Sequence, residues 1–252
     1  SALQRFEEAY DILARFAFQA STGPLQERIQ VVHFRNGDEY HQLAADLTAG
    51  HFIHNPYDPE DLAAIAMYGD HQNQPLNVLL HELSHFFTAR YLPNAPRWLN
   101  EGLATYYETT TYHNGKVIFG HPRADHLYTL TRHGVPSLRQ LFSVSGDNFY
   151  RDGQREINYA GAWLLVHFLN HGVDQGRPRF FSYLNALASG EDPRSAWRGV
   201  YPQLVPGTLE DACRRHLTAP QDELGGDFQR KSAPLSAART LSDAEVHLVW
   251  EQ

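Results

Sequence analysis

The sequence predicts an α+β fold, with a mixed N-terminal half and a mainly helical C-terminal half. Residues 28–34 are rich in β-branched and aromatic side chains and residues 63–68 form an apolar run, and both patterns predict strands. Apolar residues recur every three or four positions along residues 3–18 and through much of residues 121–217, which indicates helices. Asn114-Gly115, inside residues 109–119, is a strong hairpin signal.

The remaining elements of the N-terminal half follow from turn residues and short apolar runs. Helix 3–18 ends at Ser21-Thr22-Gly23-Pro24, and a second helix is expected near 39–48. Short strands are expected at 50–53 and 63–68, separated by a turn at 55–59. Gln74-Pro75 begins a helix that runs to about residue 90, because proline is favoured in the first helical turn.

Two prolines separate that helix from the next one, and the rest of the chain is mostly helical. Pro93 and Pro96 end the first helix and begin a second at 96–108. After the hairpin, we expect helices near 122–132, 137–142, 156–171, 177–189, 192–199 and 207–217. Residues 244–250 are expected to form a short strand or a docked tail.

Three segments are expected along the chain. Residues 1–108 form an N-terminal α+β subdomain, residues 109–218 a mainly helical subdomain, and residues 219–252 a C-terminal tail. A cleft between the first two is the natural place for a ligand.

The composition narrows the functional class. The formal charge of 21 − 29 = −8 and the lack of Lys/Arg runs disfavour a nucleic-acid binder. No apolar run approaches the roughly 20 residues that a membrane span needs, so no membrane span is expected in this chain. A single cysteine, Cys213, excludes an intrachain disulfide, and its apolar surroundings predict a buried small side chain.

The most informative motif is His81-Glu82-Leu83-Ser84-His85, in the helix predicted to end near residue 90. Residues four apart on a helix point the same way, since four residues turn about 40° beyond a full circle, so His81 and His85 can share one metal ion. Glu82 lies about 100° from His81 on the helix and is placed to face a water, as a general base. The motif is short, and the alternative is a solvated helix face. The apolar flanks 78–80 and 86–87 favour a buried helix, in which these side chains need partners.

A third ligand is expected from the helix at 96–108. Glu101 lies on its packing face, and a short loop would return this helix antiparallel to the first, beside His85. Glu108, two turns further on, is the reserve ligand; the alternative for Glu101 is a surface position. Three protein ligands leave a fourth position for water, which is the catalytic arrangement of zinc.

His81-Glu82-x-x-His85 together with Trp98-Leu99-Asn100-Glu101-Gly102 resembles the gluzincins, the thermolysin-like zinc peptidases of clan MA, and is most similar to bacterial peptidase-MA-like domains. The resemblance covers roughly residues 28–170 and includes Asn158-Tyr159-Ala160-Gly161. It implies a zincin-like fold, one Zn²⁺ per chain held by His81, His85 and Glu101, and Glu82 as general base. It also implies a mixed N-terminal sheet whose edge strand binds an extended peptide, and it favours an extracytoplasmic location.

Two residues of the helix at 156–171 need separate interpretations. Tyr159 is our candidate for the donor that stabilises the oxyanion, and the resemblance aligns a tyrosine here; the alternative is a core tyrosine with a satisfied hydroxyl. His167 is interpreted as a packed core residue. The sequence departs from the thermolysin branch at Thr105, where that branch has an acidic residue, so the group that orients a ligand histidine is not predicted.

The function expected from these residues is a zinc-dependent metallopeptidase that hydrolyses peptide bonds in a peptide or protein substrate. Strand 63–68 is expected either to bind that substrate at an unpaired edge or to be an ordinary interior strand. The main alternative function is a non-catalytic, zinc-containing peptide-binding module of the same fold. A scaffold domain with incidental histidines is a further alternative. The residues specify how an amide is attacked and leave open which amide, the oligomeric state and the choice between endo- and exopeptidase.

Overall fold

The protein has an α+β fold, as the sequence predicts, in which helices dominate and the described residues form two small three-stranded sheets. The computed structural model describes residues 2–18, 29–44, 49–54, 63–69, 76–219, 223–229, 239–242 and 245–246. The turns expected at 21–24 and 55–59, the helix start at Gln74-Pro75 and most of the segment 244–250 lie outside these residues.

The chain divides into two compact units. Unit 1 comprises residues 1–86 and 229–252, and unit 2 comprises residues 87–228, so that the boundary falls within one helix, Leu76–Tyr91. The three-segment organisation expected from the sequence stays a prediction.

Unit 1 contains a mixed sheet, and its helices come before, between and after the strands along the chain. Its elements are α1 (Ala2–Ile12), which continues as a π-helical turn at Leu13–Ala17, then β1 (Gln30–Phe34), α2 (Gly37–His41), β2 (Gly50–Ile53), β3 (Ala64–Tyr68) and the first part of α3 (Leu76–Tyr91). The strand order is β1-β3-β2, with β1 parallel and β2 antiparallel to β3. Of the two alternatives expected for residues 63–68, the interior strand is found and the unpaired edge is not, because β3 is the central strand.

A small apolar cluster holds the first unit together. Tyr40 of α2 packs against Val32 and Phe34 of β1 and against Ala66 of β3. Leu241, from the C-terminal stretch, packs against the same cluster, as does Val246. Part of the segment 219–252, expected as a C-terminal tail, therefore belongs to the packing of this unit.

Unit 2 is built around one buried helix. Its helices after α3 are α4 (Arg97–Tyr107), α5 (Ala124–His133), α6 (Leu138–Ser143), α7 (Gly146–Phe149), α8 (Arg155–His171), α9 (Gly176–Ala188), α10 (Pro193–Val200) and α11 (Pro206–Thr218). Residues 160–170 of α8 are all buried, and α4, α5, α9 and α11 pack against this helix. The short α7 was not expected from the sequence.

The second sheet confirms the predicted hairpin and adds a strand to it. β4 (Thr111–His113) and β5 (Lys116–Phe119) are antiparallel, and β6 (Leu224–Asp227) pairs with β5. Asn114 and Gly115 have φ of 52° and 76°, the left-handed conformation that a tight hairpin turn requires. β6 was not predicted, because its sequence Leu-Gly-Gly-Asp lacks β-forming residues.

Membrane-spanning character is absent from the described helices. None of them has both the length and the apolar composition that a bilayer crossing requires.

Candidate metal centre

Helix α3 carries the motif residues on a largely buried helix, as the apolar flanks predict. Leu80, Leu83 and Phe87 have no exposed surface, and Glu82 is only 7% exposed. The rings of His81 and His85 are half-buried neighbours, with centroids 4.8 Å apart and planes 82° apart. The two half-buried imidazoles therefore lie side by side on one face of α3, with Glu82 beside them on the helix.

Helix α4 follows after a tight connection and carries the third acidic group. The chain turns at Leu92 to Pro96, where the Leu92 amide donates to the Thr88 carbonyl (2.8 Å) and the Ala95 amide to the Leu92 carbonyl (2.8 Å). Pro96 has φ −65° and ψ 152°, an extended conformation that ends one helix and precedes the next. Glu101, one turn into α4, is 1% exposed.

His81, His85 and Glu101 together form a group that can hold a metal ion. Each offers one ligand atom, and these atoms lie within 4.8 Å of one another. Within the part of the chain that the structure describes, no other group of histidine, cysteine or acidic residues meets the same criterion.

The donor set fits zinc. Imidazole nitrogen and carboxylate oxygen are zinc ligands, and two histidines with one glutamate are a catalytic combination that leaves a position for water. Atoms bound to one zinc ion at about 2.1 Å lie no more than about 4.2 Å apart, which is close to the separation of these three atoms.

Two tyrosines converge on the Glu101 carboxylate. The Tyr150 hydroxyl donates to Glu101 Oε1 at 2.5 Å, and the Tyr159 hydroxyl is also hydrogen-bonded to Glu101. Burial and the negative charge of Glu101 raise the pKa of Tyr159, and the same two causes raise the pKa of Tyr150. Both phenols therefore stay protonated, as hydrogen-bond donors, at neutral pH.

Tyr159, the predicted oxyanion donor, is therefore adjacent to a predicted zinc ligand. Gly102 explains how α4 and α8 come so close, because a Cβ at Gly102 would lie 2.7 Å from the Ala162 carbonyl oxygen and 2.7 Å from Val166 Cγ2. Only glycine fits this contact without a shift of the helices. The sequence Glu101-Gly102 thus combines a candidate ligand with the close packing that brings Tyr159 to it.

Glu82 lies against strand β2. A Cβ on Gly50, the first residue of β2, would lie 3.0 Å from Glu82 Cγ and 3.2 Å from Glu82 Oε1. The aromatic ring of Phe52 in the same strand contacts Phe86 of α3 edge-on, with centroids 6.1 Å apart. β2, an edge strand in the described sheet order, is therefore the strand next to the candidate base, whereas β3 is interior.

Three other residues singled out in the sequence lie elsewhere. Glu108, the reserve ligand, is ion-paired with Arg123 and is not part of the metal group. His167 is fully buried, as expected, and its Nδ1 shares a hydrogen bond with His216 Nε2 at 2.8 Å. Cys213 is buried as predicted, and burial raises the pKa of its thiol to about 12.

Sequence reasoning missed Tyr150 and Arg97. Arg97 Nη1 donates to the Tyr150 hydroxyl at 3.1 Å and lies 3.7 Å from Glu101 Oε1. Arg97 stands one helical turn before Glu101, and that spacing is a signal for an ion pair that could have been used. Tyr150 follows a four-residue helix, α7, and no periodicity indicates where its hydroxyl lies.

Comparison with known proteins gives one partial match. A family model described as "Protein of unknown function (DUF1570)" matches residues 86–193, which is less than half of the chain. The matched segment includes Glu101, Tyr150 and Tyr159 and begins directly after His85. No curated protein and no solved structure matches the chain.

Proposed function

We propose that this protein is a zinc-dependent metallopeptidase with a zincin-like fold. The observation that carries the proposal is the convergence of ligand atoms from His81, His85 and Glu101, with Glu82 on the same helix as the two histidines. A purely structural zinc site tends to close its fourth position with another protein ligand. Here the described residues supply three ligands and an adjacent carboxylate, which is the composition of a hydrolytic site.

Zinc at these ligands would supply an acidified water and a polarised substrate carbonyl. Glu82 accepts a proton from the attacking water and later passes it to the leaving amine. Its near-complete burial keeps the carboxylate in a defined position beside Gly50. An extended substrate pairing along β2 would pass this carboxylate, so in this proposal β2 replaces β3 as the substrate-binding strand.

Tyr159 is proposed to donate a hydrogen bond to the oxyanion of the substrate, for which its single phenolic proton turns from Glu101 to the substrate. Its raised pKa keeps the proton on the phenol, and its position beside Glu101 puts it near the metal group. Loss of one such donor typically costs about 10²- to 10³-fold in rate. We expect Tyr159→Phe to lower kcat by about that factor while zinc stays bound.

The alternative, a non-catalytic zinc-containing peptide-binding module, predicts the same metal group without turnover. Glu82 favours the enzyme, because a binding module needs no proton acceptor beside its metal. Zinc content and cleavage of a mixed peptide library, measured for the native protein and for Glu82→Gln, separate the two.

The enzyme predicts about one zinc per chain in both proteins and cleavage only by the native one. Zinc in both proteins with cleavage by neither would favour the binding module. Absence of zinc from the native protein, also after reconstitution, would refute both.

A further inference from the structure

The hydroxyl of Tyr150 has no role in the chemistry proposed above, although it makes a short hydrogen bond of 2.5 Å to a candidate ligand. Tyr150 is 37% exposed, yet its hydroxyl reaches the carboxylate of Glu101, which is 1% exposed. An exposed ring with its polar end on a buried charge is not explained by core packing alone.

The two partners of the Tyr150 hydroxyl set the direction of its hydrogen bonds, because a carboxylate only accepts. A guanidinium only donates, so the Tyr150 oxygen accepts from Arg97 Nη1, and the single phenolic proton is directed to Glu101 Oε1. Arg97 also lies over the Tyr150 ring, 5.5 Å from its centroid. A carboxylate has two oxygens, and a bond to Oε1 is compatible with metal ligation by the same group.

The backbone around Tyr150 is held in place by the core. Phe149 has no exposed surface, and its carbonyl accepts a 2.9 Å hydrogen bond from the buried Asn158 Nδ2 of α8. At the other end of α7, a Cβ on Gly146 would lie 3.3 Å from Arg97 Nη2. The short helix is thus fixed at both ends against elements that face Glu101.

We propose that Tyr150 is a positioning residue for metal binding: its hydroxyl, directed by Arg97, fixes the orientation of the Glu101 carboxylate. The proposal rests on the metal site of the proposed function and does not require turnover. Partners of ligand groups set ligand orientation, and their loss typically lowers metal affinity about 10- to 100-fold.

The test is the zinc dissociation constant of the native protein, of Tyr150→Phe and of Tyr128→Phe, measured by competition with a chromophoric chelator. Tyr150→Phe keeps the ring and removes only the hydroxyl. Tyr128, 64% exposed on α5, is the matched control. We expect zinc to bind about 10- to 100-fold more weakly to Tyr150→Phe and with native affinity to Tyr128→Phe. The melting temperature of the metal-free Tyr150→Phe protein is expected to stay near that of the native protein.

Arg97→Lys provides a second variant, because it keeps the positive charge near Glu101 and removes the guanidinium bond to the hydroxyl. We expect the zinc affinity of Arg97→Lys to lie between those of the native protein and Tyr150→Phe. If Tyr150→Phe does not fold, Arg97→Lys takes its place in the test. Native zinc affinity in a folded Tyr150→Phe, or in Arg97→Lys where Tyr150→Phe does not fold, would overturn the positioning role and leave the metal site standing. Failure of the native protein to bind zinc would overturn the metal site and this inference together.

Discussion

Replacement of Gly50 by alanine tests whether the position of Glu82 matters for catalysis, without touching a candidate metal ligand. The added Cβ would lie 2.7 Å from Val78 Cγ1 and 3.0 Å from Glu82 Cγ. Carbon atoms in favourable contact are about 3.5–4.0 Å apart, so α3 side chains must move by roughly half to one Å. A misplacement of about 1 Å can lower a catalytic rate by about 10²-fold.

We therefore expect Gly50→Ala to lower kcat for peptide cleavage by about 10- to 100-fold, with one zinc still bound per chain. The assay combines steady-state kinetics on a cleaved library peptide, zinc content and a thermal melt. Gly199→Ala is the matched control, because a Cβ at Gly199 meets no atom within 4 Å. A folded, zinc-loaded Gly50→Ala protein that cleaves at the native rate would refute the placement of the general base at Glu82 beside β2.

Three further predictions concern zinc binding and stability. Glu101→Gln should abolish zinc binding while Glu108→Gln retains one equivalent, and equal zinc contents of the two variants would contradict Glu101 as the third ligand. Gly102→Ala should lower the free energy of unfolding by about 1–3 kcal/mol, because its Cβ meets α8 backbone at 2.7 Å, and an unchanged urea midpoint would contradict the close packing of α4 on α8. Burial, with the nearby His171 and His216, lowers the pKa of His167 to about 2, so that only the unfolded chain takes up its proton below pH 6.5. The stability from His167 is therefore complete above pH 6.5 and is lost at about 1.4 kcal/mol per pH unit below it, which urea titrations of native protein and His167→Gln should show as a steeper loss in the native protein.

Local pattern was sufficient for the elements that form the candidate site. Helix α3 ends, and α4 begins and ends, within a few residues of the predicted limits, because proline positions and apolar periodicity act within one or two turns. The hairpin at Asn114-Gly115 was predicted for the same reason, since the turn depends on two adjacent residues.

Strand order and short elements were not predictable in this way. The run 63–68 is apolar on both faces, which fits a central strand. Which strands lie beside it depends on hydrogen bonds to other segments of the chain, β1 and β2. β6 pairs with β5 although its glycines favour no strand. A Cβ added to Gly225 would lie 2.4 Å from the Val117 carbonyl oxygen, so the close approach of the two strands requires glycine there.

The sequence by itself determined which residues can ligate a metal: helical spacing places His81 beside His85, and one tight turn leads to the helix of Glu101. Only the tertiary structure decided what surrounds that glutamate. Tyr150 reaches it from just after α7, beyond the hairpin and three helices along the chain, and Tyr159 reaches it from α8, the next helix. Gly50 approaches Glu82 from a strand. Periodicity reports which face of an element is buried, whereas hydrogen bonds between distant segments depend on how the faces pack, which no local pattern contains.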